Sequence, residues 1–127
     1  MSKRILIIDD DNDFVDAVTN LLEAKNYEII TASNGKEGFE SAKKNKPDLI
    51  LLDVMMTKKT EGFDTARSLS SDESTKKIPI IMVSGIRKEM NVPFSIEPNE
   101  EWLPVKAFIE KPIKPNELLQ KVEEVLK

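Results

Sequence analysis

The stretch Asp48-Leu49-Ile50-Leu51-Leu52-Asp53 decides the fold, because four consecutive apolar residues stand between two carboxylates. A run this short is too short for a helix and is typical of a strand buried on both faces. Such strands lie in the middle of a parallel sheet that helices cover. Asp53 then leaves the strand at the carboxyl edge, where open α/β sheets bind their ligands. A carboxylate at this edge can act as a nucleophile or a metal ligand, or it can simply end the strand in solvent.

Other apolar runs predict four further strands, and helical patterns lie between most of them. The strands are predicted over residues 4–9, 27–32, 78–84 and 105–110, and helices over 34–46 and 62–71. A first helix is predicted to begin with Asp11 or Asn12 as its cap, and a last one with Pro115 in its first turn. Strands that alternate with helices predict right-handed βαβ units, a parallel sheet and a single domain over residues 1–127.

The composition excludes several classes of chemistry. The 127 residues include 19 basic and 23 acidic side chains, and the net charge of −4 argues against a nucleic-acid surface. Cysteine and histidine are absent, so thiolate chemistry and the commonest general base are excluded. The sequence contains neither a signal peptide nor an apolar run of membrane-spanning length, which predicts a cytoplasmic protein that does not bind membranes.

The segment 85–104 fits the alternation least well. It contains Pro93, Pro98 and Pro104, and its apolar residues follow no helical period. We expect a fourth helix that is short or replaced by an irregular loop. Because several large apolar side chains occur here, including Trp102, an ordered loop packed near strand five is a better hypothesis than a disordered insertion.

Polar residues follow several of the predicted strands where each strand ends. In a parallel sheet Asp9, Asp10, Asp53, Ser84 and Lys111 leave their strands at the same edge. Carboxylates from neighbouring strands make a hard, oxygen-rich site of the kind that Mg²⁺ prefers, and without a cation they repel one another. A hydroxyl and an ammonium beside them complete a pocket for a tetrahedral dianion such as a phosphoryl group.

Four short motifs in this order give the whole chain a resemblance to the receiver domains of two-component response regulators. They are Ile8-Asp9-Asp10, Leu52-Asp53-Val54-Met55-Met56, Ser84-Gly85 and Lys111-Pro112, and each ends a predicted strand. The resemblance implies a flavodoxin-like, doubly wound, five-stranded sheet in the order 2-1-3-4-5. It also implies a stand-alone receiver, because the sequence given carries no output domain.

The resemblance implies a role for each matching position. Asp53 is the expected phosphoacceptor, with Ser84 and Lys111 on its phosphoryl group. Asp10, Asp53 and the main-chain carbonyl of Met55 are the expected ligands of Mg²⁺ or Mn²⁺, and Asp9 is expected to contribute through water. Ser84 and Phe108 are the expected switch residues. Such a domain is a signalling switch that catalyses its own phosphorylation and dephosphorylation; it is not an enzyme with a separate substrate.

Judged without the resemblance, these residues keep simpler interpretations. Asp9 and Asp10 can be helix caps, although residues 9–13 hold more acids than capping requires. Lys111 can be a solvated lysine, and Phe108 an ordinary core residue.

Two departures from the family pattern stand out: Thr57 occupies a position where proline is common, and the segment 85–104 is longer than usual.

Two classes of function remain open. The first is a phosphorylatable receiver whose partners are a sensor histidine kinase or histidine phosphotransfer protein and an unknown downstream protein. It is expected to be a monomer or weak dimer. The second is a protein-binding module of the same fold that works without phosphorylation. A nucleotide-binding domain is disfavoured, because neither type of glycine-rich phosphate loop occurs.

Overall fold

The computed structural model describes residues 3–53, 61–84, 107–110 and 114–126. Four predictions therefore lie outside the described residues: the course of the segment 85–104, the loop after Asp53 with Met55, the placement of Lys111, and the packing of Trp102. Within those ranges, no helix combines the length and the apolar character needed to cross a bilayer.

The sheet has five parallel strands in the order β2-β1-β3-β4-β5, so the predicted flavodoxin-like topology is confirmed. The strands are β1 (Arg4–Ile8), β2 (Glu28–Ala32), β3 (Leu49–Asp53), β4 (Ile80–Ser84) and β5 (Ala107–Glu110). The stretch that begins at Leu49 is the central strand, between β1 and β4, and all five of its residues are buried. Its unbroken apolar run follows from this position, because helices cover both faces.

Four helices are described between and after the strands: α1 (Asn12–Glu23), α2 (Gly35–Asn45), α3 (Glu61–Ser71) and α4 (Pro115–Leu126). Asn34 caps α2 by accepting a hydrogen bond from the Glu37 amide at 2.9 Å. Lys46 ends the same helix in a left-handed conformation with φ 47°. The predicted helix ran to Lys46; the left-handed conformation of that residue ends the helix at Asn45 instead.

Two strands begin later than predicted, because the amides before their first residues donate hydrogen bonds outside the sheet or lack a hydrogen. The Tyr27 amide donates to the Leu22 carbonyl at 3.2 Å and closes the end of α1, so β2 begins one residue later. The Ile78 amide donates to Thr75, and Pro79 has no amide hydrogen, so β4 begins only at Ile80.

Two buried clusters cover the two faces of the sheet. Alternate residues of each strand point to opposite faces, so Leu6 and Ile8 belong to the cluster under α2 and α3, and Ile5 and Ile7 to the cluster under α1 and α4. In β3, Ile50 and Leu52 join the first cluster, and Leu49 and Leu51 join the second. The strand ends that carry the acids are thus held by both cores.

Candidate functional site

Asp9 follows β1 and is fixed by its main chain and its side chain. Its amide donates to the Ala32 carbonyl of β2 at 3.0 Å, and its Oδ1 accepts from the Asp11 amide at 2.9 Å. Only 2% of the residue is exposed. The next residue, Asp10, is exposed. The two acids therefore present one buried and one accessible carboxylate at the same point of the sheet.

Asp11 is the cap of α1, and Asn12 is the first residue of the helix. Asp11 Oδ1 accepts from the amides of Asp13 at 3.1 Å and Phe14 at 3.2 Å. This satisfies donors that the first turn leaves without helical partners. The capping carboxylate of α1 is thus that of Asp11 and not that of Asp9 or Asp10.

Asp53 ends β3 beside these two acids. In the parallel register Ile8 pairs with Leu52, so Asp9 and Asp53 follow at the same level on neighbouring strands. Asp53 is 4% exposed. One carboxylate oxygen from each of Asp9, Asp10 and Asp53 lies within 4.8 Å of the others. The structure therefore brings together the three acids that the sequence placed at one edge.

The donor set fits a hard divalent cation. Carboxylate oxygens are the ligands that Mg²⁺ prefers, and its short bonds put opposite ligands about 4.2 Å apart. The spacing of up to 4.8 Å needs only a small contraction, or a water between one acid and the ion. Like charges this close are unfavourable without a cation, so the arrangement itself favours metal binding.

The other predicted site residues are placed only in part. Ser84 ends β4 next to the level of Asp53, which pairs with Val83. Phe108 lies within β5, where it pairs with Met82 of β4. Glu110, which pairs with Ser84, is the last described residue before Lys111. The backbone register thus directs the strands of Asp53 and Ser84 to one edge, and the positions of Lys111 and Met55 lie outside the described residues.

A pocket beside Asp9 was not predicted from the sequence. It has a volume of ≈ 190 Å³ and opens between the end of β2 and the starts of α1 and α2. Its lining includes Asn12, Thr31, Ser33 and Glu37. Glu37 accepts hydrogen bonds from Ser33 and Asn34, so it also holds the start of α2 in place. No single motif marks this pocket, because its walls come from three separate stretches of the chain.

Comparison with known proteins identifies the family. The family model of the response regulator receiver domain matches residues 5–123. The chain belongs to this family. It is a receiver domain of two-component signalling, and the partners of such domains are histidine kinases or phosphotransfer proteins. The acidic pocket of the family is where receiver domains bind Mg²⁺.

Relatives of two lengths resemble this receiver domain. The protein PilH of Pseudomonas aeruginosa is 30% identical over 123 residues, which are 97% of this chain and 97% of PilH. The phosphate regulon transcriptional regulatory protein PhoB of the same organism is 35% identical over 127 residues, all of this chain and 53% of PhoB. The chain thus spans about half the length of several curated relatives that it matches.

A solved structure supports the fold. The receiver domain of the sensor histidine kinase PA1611 from Pseudomonas aeruginosa superimposes with a TM-score of 0.81, covering 99% of this chain and 98% of that one, at 19% identity. That structure has a magnesium ion coordinated in its active-site cleft. At this identity the likeness shows the shared fold.

Proposed function

We propose that this receiver domain accepts a phosphoryl group on Asp53 from a histidine kinase or histidine phosphotransfer protein. A carboxylate oxygen of Asp53 bonds to phosphorus while the phosphorus–nitrogen bond of the phosphohistidine breaks, and the bonding electron pair stays on the imidazole. The observation that carries the proposal is the cluster of Asp9, Asp10 and Asp53 within 4.8 Å at the carboxyl edge. A protein-binding surface alone needs no such concentration of like charge.

Asp10, Asp53 and the main-chain carbonyl of Met55 would hold Mg²⁺, or Mn²⁺, and Asp9 would contribute through water. The ion, when bound, offsets the charge that accumulates as a dianion approaches a carboxylate. Burial of Asp9 and the amide of Asp11 on its Oδ1 keep that side chain in one orientation. The PA1611 receiver domain, which has the same fold, has a magnesium ion coordinated in its active-site cleft, and this supports a metal at the acid cluster here.

Ser84 and Lys111 would meet the phosphoryl group after transfer. A hydroxyl donates one hydrogen bond, and an ammonium supplies the opposite charge. Movement of Ser84 would let Phe108 turn inward and would alter the face made by strand five and the segment 85–104. The domain is thus a switch that catalyses only its own phosphorylation and dephosphorylation, and its output is recognition by a downstream protein.

Phosphorylation with a small donor tests the proposal directly. Incubation with acetyl phosphate and Mg²⁺ should add one phosphoryl group, seen by intact mass, and Asp53→Asn should accept none. Asp48→Asn is the matched control, because Asp48 precedes the same strand at its opposite end. It should be labelled like the unsubstituted protein. Labelling of Asp53→Asn to the normal extent would refute the assignment of the phosphoacceptor.

A second candidate is a binding module of the same fold that works without phosphorylation. The exposed position of Asp10, which leaves the acids accessible from solvent, favours the phosphorylatable form. Trp102 is the only tryptophan, so its fluorescence reports on the segment 85–104. Emission that changes on phosphorylation of the unsubstituted protein, and stays constant in Asp53→Asn, supports the switch. Unchanged emission in both, with partner binding intact, supports the module.

A further inference from the structure

Gly38 lies in the second turn of α2, at the point where the helix crosses the end of β1. The residue is buried, and α2 packs on the sheet through Gly38 and Ala42. A Cβ atom at Gly38 would meet Ile8, with Cγ1 at 2.6 Å, Cγ2 at 3.0 Å and Cδ1 closer still. Only a residue without a side chain permits this approach of helix and strand.

A change in the Ile8 side chain alone cannot make room for a Cβ atom at Gly38. Ile8 is fully buried in the cluster under α2 and α3. Both branches of its Cβ face Gly38, so rotation about χ1 exchanges one branch for the other. Interiors are close-packed, so the conflict moves either the helix or the strand.

Movement of the strand or of the helix would displace the cluster of Asp9, Asp10 and Asp53. Ile8 directly precedes Asp9, and it pairs with Leu52, the residue before Asp53. If α2 instead lifts from the sheet, it displaces Ser33, which Glu37 of the helix binds at 3.2 Å. Ser33 follows Ala32, whose carbonyl accepts the Asp9 amide.

We infer that Gly38 is a positioning residue for the metal ligands: by letting α2 rest on Ile8, it sets the relative places of Asp9, Asp10 and Asp53. The inference rests on the proposed function, since it concerns affinity for Mg²⁺ at that site. Gly38 touches neither the ion nor the phosphoryl group and acts only through Ile8. Groups that orient metal ligands from outside typically change affinity by about 10- to 100-fold.

The test measures Mg²⁺ affinity by calorimetry for Gly38→Ala and for a compensated pair. Gly38→Ala should weaken binding roughly tenfold. Ile8→Val with Gly38→Ala should recover part of that loss, because valine lacks Cδ1, the atom nearest to the added Cβ, and keeps Cγ1 and Cγ2. Ile80→Val is the control, since it truncates the same buried cluster away from the acids. It should lower the melting temperature and leave Mg²⁺ affinity unchanged.

A readout without metal completes the design. Hydrogen exchange of the Asp9 amide, which donates to Ala32 at 3.0 Å, should be faster in metal-free Gly38→Ala and slower again in the compensated pair.

If Gly38→Ala does not fold, the compensated pair compared with Ile8→Val alone gives the same information. Normal affinity and normal exchange in Gly38→Ala, or a loss that Ile8→Val leaves unrepaired, would overturn the inference. Absence of Mg²⁺ binding in the unsubstituted protein would refute the proposed function instead, and the Asp9 amide alone would then decide this inference.

Discussion

The two ends of strands β1 and β3 carry charge in opposite arrangements. At the amino end, Arg4 Nε lies 3.2 Å from Glu28 Oε2, an Arg4 guanidinium nitrogen donates to the Asn45 carbonyl at 2.7 Å, and the Arg4 amide donates to Asp48 at 2.8 Å. At the carboxyl end, the three acids that follow these strands lie within 4.8 Å of one another. Two strands thus end in complementary groups on one side and in like charges on the other.

The difference separates structural charge from functional charge. The amino end brings opposite charges and backbone groups into direct contact, which stabilises the folded chain. The carboxyl end gathers carboxylates whose mutual repulsion opposes folding and favours an external cation. Removal of a charged group at the amino end should therefore lower the stability of the metal-free protein, and removal of one at the carboxyl end should leave it unchanged or raise it slightly.

The largest expected effect concerns the metal. Mg²⁺ at 100 times its dissociation constant should raise the free energy of unfolding by about 2.7 kcal/mol, and chelation should remove this gain. Asp10→Asn should lose most of the gain, because a charged ligand becomes neutral, while Asp48→Asn should keep it. Denaturant titrations with Mg²⁺ and with EDTA measure both. Equal gains in the two variants would erase the distinction between the ends.

Arg4→Met should weaken the amino end. The variant loses the pair with Glu28, which is largely exposed, and the charged hydrogen bond to the part-buried Asn45 carbonyl. We expect the free energy of unfolding to fall by about 1–2 kcal/mol in EDTA, mostly from the second contact. Lys76→Met is the matched control, because the Lys76 ammonium pairs with Glu73 on the surface and its loss should change stability by less than about 0.5 kcal/mol. Metal-free Asp10→Asn should be unchanged or slightly more stable.

Lys46→Gly should strengthen the amino end. Lys46 adopts φ 47° beside the carbonyl that Arg4 binds, and a residue with a Cβ is strained there. Relief of this strain should raise the free energy of unfolding by roughly 0.5–1 kcal/mol. Asn26→Gly, at φ 70°, should gain less, since asparagine tolerates this region. A larger gain at Asn26 would show that local strain does not limit this end.

The smallest expected effect is a loss of stability at high pH, where ionised Tyr27 and Glu123 form a like-charge pair near the amino end. Burial, and then the negative charge of Glu123, raise the pKa of Tyr27 above its usual value of 10.0. The folded protein therefore holds this proton more tightly than the unfolded chain, so stability is lost as the pH rises from about 10 through the folded pKa. Glu123→Gln should lower the pKa of Tyr27 part of the way. Absorbance at long ultraviolet wavelengths measures it, because Tyr27 is the only tyrosine.

The features that the sequence predicted well are those that local patterns encode. Unbroken apolar runs mark strands covered on both faces, and this predicted the central position of the strand ending at Asp53. Acids at two strand ends then had to meet once the strands were parallel. Residue type and place limited the cap of α1 to Asp11 or Asn12, and the structure shows that it is Asp11.

The features that it did not predict depend on contacts between distant residues. Nothing around Gly38 indicates that Ile8 lies against it, because the contact exists only after α2 has crossed β1. The bond from Arg4 to Asn45 likewise joins residues from separate elements. The late start of β4 depends on which amide hydrogens the turn before it uses.

The parallel pairing of β1 with β3 also fixes an order of events in folding. Asp9 and Asp53 are more than forty residues apart in the chain, and only this pairing puts them side by side. In an unfolded chain Asp53 does not stay beside Asp9 and Asp10, because closing so long a loop for one metal contact is entropically unfavourable. A cation that uses carboxylates from both strands therefore binds only after β1 and β3 have paired, and it does not direct that pairing.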